Sequence, residues 1–310
     1  MSEIKIEIMN SIQKIRKEND PFIQILMLVF YAIVGLVVVS GIGLIIVYFK
    51  YGVGIFEDLS WLSDTDLYYL PAQRILLTAQ QIGLFLVPAF LLAKTEGQKI
   101  NGFYSFKRPK AELLFIVLLI MICALPVLEW VTELNQKMVL PEAFKGLEKW
   151  MKEAEDQGME MTKALLKMDN IDAFIINIFM IALLPAVAEE FMFRGGVQRA
   201  LGRMSNNPHI AIWFTAIIFS AIHMQFYGFL PRMFLGAAFG YLYFWSGSLW
   251  YAIIGHFINN GYAVCVAWYM QKNNIPLSET DKTMDIAWYG YIISAILTFL
   301  LFRYFKNKTE

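Results

Sequence analysis

Three short stretches carry residues able to do chemistry inside otherwise apolar sequence. The first is Pro185-Ala-Val-Ala-Glu189-Glu190-Phe-Met-Phe-Arg194. Glu190 and Arg194 are four apart, so on a helix they share a face and can pair, with the acid in the favourable N-terminal place. Glu189 is turned away by roughly 100°. That geometry separates a structural ion pair from a carboxylate available for proton transfer. Pro185 takes the helical partner away from the carbonyl of Ile181 and marks a kink, while Ala186 and Ala188 leave room beside the helix. The plainer alternative is that both glutamates merely neutralise Arg194 near the cytoplasmic end of the helix.

The second stretch is Phe219-Ser-Ala-Ile-His223, at the end of an apolar run, and the third is His256-Phe-Ile-Asn259-Asn260. A lone histidine such as His223 commonly serves only as a hydrogen-bonded helix partner. His256 and Asn260 share a helical face, where an imidazole and a carboxamide can orient a carbonyl and donate to the oxyanion formed when water attacks it. They can equally clamp two spans together. The third histidine, His209, follows Pro208 in a connector and looks unrelated. Taken together, two imidazoles, one carboxylate and one carboxamide suit water activation and oxyanion stabilisation, or a metal-bound water. There is no His-Glu-x-x-His, no Gly-x-Ser-x-Gly and no credible nucleophilic cysteine, which removes the commoner hydrolase templates.

The elements that must position these groups are membrane helices. A bilayer core about 30 Å thick needs roughly 20 apolar residues per helix. Eight segments fit, at 22–49, 70–93, 111–131, 171–193, 210–224, 229–245, 249–270 and 285–305. The fold expected is an all-α polytopic membrane bundle of about eight transmembrane helices in one domain over 1–310. N-terminal spans cover 22–131, an extracytoplasmic or interfacial helical segment covers 132–170, and the catalytic spans cover 171–305. The segment from Pro141 to Met168 is too charged to span, yet Phe144, Leu147, Trp150 and Met151 fall on one helical face, as for a helix lying at the interface or capping the bundle. Gly236 and Gly240, four apart, suit tight helix packing.

Composition agrees. Of 310 residues 58% are hydrophobic, and the mean hydropathy of +0.51 exceeds that of a domain with a polar surface. The 26 basic residues balance the 26 acidic ones, so there is no basic footprint for nucleic acid. Cys123 and Cys265 lie in apolar runs and do not suggest a disulfide framework. The first apolar run is longer than a signal-peptide core and reads as a retained span. Basic residues prefer the cytoplasmic side. Placing both termini there puts Lys5, Lys14, Arg16, Lys17, the Lys94 to Lys110 connector, Arg194, Arg199, Arg203, Arg303, Lys306 and Lys308 inside. The expected location is a cytoplasmic (inner) membrane.

At the three stretches the sequence resembles the CAAX-protease and bacteriocin-processing family of intramembrane endopeptidases, which includes the type II CAAX prenyl endopeptidases. The family pattern of Glu-Glu-x-x-x-Arg, Phe-x-x-x-His and His-x-x-x-Asn is met in order at Glu189 to Arg194, Phe219 to His223 and His256 to Asn260. The text at Gly195 to Leu201 is also similar, and the resemblance covers about Ala182 to Tyr262. It implies a peptidase acting on a peptide or protein substrate at the membrane. Glu189 would be the base that activates water, helped by His223. His256 and Asn260 would stabilise the oxyanion, with Glu190, Arg194 and Phe219 in support. The family's chemistry has been described both as metal-free glutamate catalysis and as metal-dependent; in the second case Glu189, His223 and His256 would bind a divalent metal such as zinc. On simple topology His223 falls nearer the outer side than Glu189 and His256, and a cavity in the inner leaflet open to the cytoplasm reconciles them. The competing functions are a polytopic transporter, disfavoured by the lack of paired repeat halves, and a non-catalytic scaffold or immunity protein.

Overall fold

A computed structural model describes residues 18–66, 68–277 and 286–309. The expectations placed on Lys5, Lys14, Arg16, Lys17 and Asp285 lie outside them. Nine principal helices follow in order: α1 (Pro21–Tyr51), α2 (Leu70–Thr95), α3 (Ala111–Gln136), α4 (Lys145–Leu165), α5 (Ile171–Ser205), α6 (Pro208–Ala221), α7 (Phe229–Ser246), α8 (Leu249–Lys272) and α9 (Trp288–Thr309). No strand occurs among the described residues. Five helices, α1, α2, α3, α5 and α9, are long and apolar enough to cross a membrane, and α6 is a shorter apolar helix. The chain is a polytopic helical membrane protein, with a helix at each of the eight segments expected to span; five of those helices have the length and apolarity of a crossing.

The exposed surface explains why these helices need lipid. On α1, Phe22, Phe30, Val37 and Phe49 are all more than half exposed. A helix apolar on every side cannot face water, but in hydrocarbon its backbone groups are satisfied internally and its side chains cost nothing. By contrast α4 is amphipathic, with Ala164 buried near its end and Lys149 and Glu153 paired on its wet face.

Connections fix which ends lie together. At one end Arg199 and Arg203 of α5 clamp Glu18 just before α1, Gln98 after α2 also donates to it, and Lys308 of α9 pairs with Glu112 of α3. Burial alone would raise the Glu18 carboxyl, but the Arg199 guanidinium against it holds it below its usual range. At the other end Leu165, where α4 finishes, accepts hydrogen bonds from Arg74 of α2 and Asn177 of α5, while Gln271 of α8 accepts from Met168 N. The described chain therefore begins and ends on one side of the bundle, and α4 lies on the opposite side.

Two helices depart from α geometry where they approach the centre. In α2 the segment Ile82–Leu86 is a π-turn, and in α5 the segments Ile178–Leu183 and Phe191–Gln198 are π-helical on either side of an α stretch Leu184–Glu190. Such wide turns recur at functional sites because the extra residue re-aims the side chains around it. The π-turn of α2 sits against α1 at a backbone-to-backbone contact: a Cβ built on Gly83 would lie 2.5 Å from the carbonyl oxygen of Gly35. Only glycine at both positions permits this approach.

Candidate active site

The buried glutamate pair lies near the middle of the 35-residue α5. Glu190 and Arg194, both 0% exposed, pair at 2.8 Å, as their spacing implies. Arg194 also donates to the carbonyl of Gly236 on α7 at 2.7 Å, and its guanidinium lies 4.8 Å from the ring centre of Phe219 and 5.4 Å from that of Phe239. The Gly236 and Gly240 spacing thus does more than tighten packing. A Cβ on Gly236 would come within 3.1 Å of Phe219, and one on Gly240 within 2.7 Å of Gln198, so α7 comes close enough to α5 for its backbone to take the guanidinium.

His256 stands between the two glutamates. Its Nδ1 is 2.8 Å from Glu190 Oε1, and its Nε2 is 3.9 Å from Glu189 Oε2. Glu190 Oε1 already accepts from the Arg194 guanidinium, and with that oxygen as acceptor Nδ1 is the donor, which in the neutral ring leaves Nε2 as a lone pair turned toward Glu189. The ring stacks on Phe239, with centroids 5.1 Å apart and planes 12° from parallel. His223 is fixed in the same sense. Its Nδ1 lies 2.7 Å from the carbonyl of Phe219, which can only accept, so Nε2 is the free nitrogen. The Phe219 ring touches both imidazoles, at centroid distances of 5.1 Å and 6.0 Å. That contact, together with Arg194, accounts for an aromatic residue four before His223.

Asn260 shows what Pro185 does. The carbonyl of Ile181, which an ordinary α-helix would pair with the N–H that proline lacks, accepts from Asn260 Nδ2 at 3.2 Å. Asn259 Nδ2 in turn donates to Asn260 Oδ1 at 3.1 Å. The expected disturbance at Pro185 is therefore a π-turn in α5 braced by a side chain of α8.

Glu189, His223, His256 and Asn260 line one cavity of about 300 Å³, together with Phe219, Phe239, Asn259 and, at its far wall, Gly228, Pro231 and Arg232. The structure thus brings all four candidate residues to one space. Its direction differs from the expected one. Gly228, Pro231 and Arg232 open α7 at the end of the bundle that carries α4, so the cavity extends away from the side holding the chain ends. The reason is the short α6: fourteen residues carry the chain about 21 Å at 1.5 Å per residue, and His223 follows at its far end, level with the glutamates at the middle of α5. The connector behind it is braced from two helices. Asn135 of α3 donates to the carbonyl of Phe226 and accepts from Leu230 N, and Glu155 of α4 accepts from Tyr227 N at 2.9 Å.

Two polar neighbours were not picked out from sequence. Arg232, in a span, donates to Gln225 at the cavity's edge; the cost of an ionisable group in a span, about 2.5 to 3.5 kcal/mol, was the signal that marks it. Gln81 of α2 donates to Glu189 Oε1 at 3.1 Å, and a neutral amide far upstream gives no comparable signal.

The donor chemistry of Glu189, His223 and His256 resembles a zinc set, since each ring gives its other nitrogen to an oxygen acceptor. The side chains do not converge, however: among the described residues no three His, Cys, Asp or Glu groups are placed to hold one ion.

Residues 171–262 match the family described as type II CAAX prenyl endopeptidase Rce1-like. The match spans α5 to α8, the helices that carry the three motifs, and the resemblance read from those motifs is borne out there. The chain is also similar to the uncharacterized protein YpbD of Bacillus subtilis (strain 168), 30% identical over 95 residues, which are 29% of this chain and 46% of that one. The chain thus spans less than half the length of that curated relative. No solved structure matches it.

Proposed function

We propose that this protein is an intramembrane endopeptidase that hydrolyses peptide bonds of membrane-associated substrates by glutamate-assisted attack of water. The observation that carries this reading is the meeting of Glu189, His223, His256 and Asn260 around one cavity, and the family match over the same helices supports it. Glu189 takes a proton from water, whose oxygen adds to the scissile carbonyl carbon. His223 Nε2, turned by its Nδ1 bond to Phe219, accepts a hydrogen bond from the same water. The Asn260 amide N–H not committed to Ile181 stabilises the oxyanion, joined by His256 Nε2 once it has taken the water's proton from Glu189 Oε2, which is thereby returned to the carboxylate. Collapse breaks the C–N bond, and the proton on His256 passes to the leaving amine. The unconverged donors favour the metal-free form of this chemistry.

Purified protein in liposomes should cleave one of two probes: a quenched fluorescent peptide with a farnesylated cysteine followed by three residues, or unmodified peptides tethered to a lipid anchor and read by mass spectrometry. Cleavage should persist in excess chelator. Failure on both probes would overturn the endopeptidase reading, and loss in chelator with recovery on added zinc would overturn the metal-free form.

The positive-inside rule supports a cytoplasmic face for the basic clamp at Arg199 and Arg203, with α4 and the cavity wall at Gly228, Pro231 and Arg232 toward the opposite face of a cytoplasmic membrane. With Cys123 and Cys265 replaced by alanine, Glu153→Cys on α4 should react in intact cells with an impermeant maleimide and Thr309→Cys should not. The reverse pattern would invert the protein and turn that wall of the cavity to the inside.

A further inference from the structure

A general base on a flexible side chain works only if one oxygen is held toward the water it deprotonates. Glu189 has three side-chain torsions, and its own helix supplies no hydrogen bond to it among those described. The donor comes from α2, where Gln81 Nε2 reaches Glu189 Oε1 at 3.1 Å. Gln81 is the last residue of the α stretch Leu70–Gln81, directly before the π-turn Ile82–Leu86. That turn is locked to α1 by the Gly35 and Gly83 backbone contact, so the direction in which Gln81 leaves its helix is set by packing. The remaining oxygen, Oε2, is the one that faces His256 Nε2 at 3.9 Å.

We infer that Gln81 is a positioning residue of this site: its amide holds Oε1 of Glu189 so that Oε2 is the proton-accepting oxygen. A carboxamide neither gains nor loses a proton in the working range of an enzyme, so its contribution is orientation and not proton transfer. Gln81 lies outside the 171–262 stretch that matches the family, which means that the unmatched N-terminal helices complete the site instead of merely surrounding it. This inference rests on the endopeptidase reading.

The test uses the full-length chain in liposomes. Gln81→Leu keeps the approximate volume and removes the donor. Its kcat on the cleaved probe should fall by about 10-fold to 10²-fold, the scale of a slightly misplaced catalytic group, with KM within about twofold, the pattern for a contribution to the chemical step alone. Thermal stability should stay level or rise. Infrared difference spectra give a second readout, in which the carboxyl band identified by its loss in Glu189→Gln should shift in Gln81→Leu. An unshifted band with wild-type kcat, in a protein whose Glu189→Gln variant is inactive, would overturn the role of Gln81 and leave the endopeptidase reading standing. A lowered melting temperature with unchanged kcat and KM would make Gln81 structural and likewise overturn it. If wild-type protein cleaves neither probe, the endopeptidase reading falls, and the band alone then decides whether Gln81 holds Glu189.

Discussion

Replacing Glu189 by glutamine is expected to lower cleavage by about 10² or more, the scale on which general base catalysis acts, while the protein folds and survives heating as the wild type does. Glutamine has nearly the shape of glutamate and can still accept from Gln81, so packing against α2 is kept. What disappears is the proton acceptor. The surroundings sharpen the contrast, because Glu190, one residue on, is already committed to Arg194 at 2.8 Å and to His256 at 2.8 Å and cannot take over. Glu190→Gln should therefore behave differently, losing stability as well as activity. If Glu189→Gln cleaved at the wild-type rate, the carboxylate would belong to a packing network or an ion path, and the transporter and scaffold alternatives would return.

The second large effect is on stability. Arg194→Ala should cost about 3–5 kcal/mol, as when one partner of a buried ion pair is removed. Four groups lose the guanidinium at once: Glu190, which keeps only His256, the carbonyl of Gly236 and the rings of Phe219 and Phe239. Neither Glu190 nor Arg194 has any exposed side-chain surface, so water cannot substitute. The measurement is thermal inactivation of the detergent-solubilised protein, with Glu190→Gln plus Arg194→Leu as comparison. The double change removes both charges and should be the milder lesion, although Gly236 still loses its donor. An Arg194→Ala protein as heat-resistant as wild type would mean that the pair carries no structural weight.

How far the sequence reveals this site depends on how each residue declares itself. Glu190 and Arg194 were legible as a pair because a helix converts a spacing of four into contact. The spans were legible because hydrocarbon imposes a length on apolar runs, and their limits agree with the helices to within a few residues except α5, which continues from 193 to Ser205. Counting residues from Pro208 places His223 at the far end of α6, as the structure does. Reading the glutamates as close to the basic end of α5 put the cavity on the side of the chain ends, whereas they lie at the middle of a 35-residue helix and the cavity extends the other way. The partner of Ile181's carbonyl could not be read, since it depends on which way Asn260 of another helix faces. Gln81 was hidden for the same reason, being an uncharged residue whose significance exists only once α2 is packed on α5.

The wide turn in α2 has a consequence for how the length of this chain can vary. Each residue advances a helix by about 100°, and a π-turn holds one residue more than the regular ladder requires. Deleting one residue other than Gly83 within Ile82–Leu86 would therefore remove the surplus and let α2 rewind as a regular helix with the phase of its two halves kept, so that Gln81 would still face Glu189. A deletion in the regular stretch Val87–Thr95 has no surplus to draw on and would turn the helix beyond it by about 100° against the half that carries Gln81. The wide turn is thus a place where α2 tolerates a change of length without losing the register of the site, as are the connectors on either side of the helix.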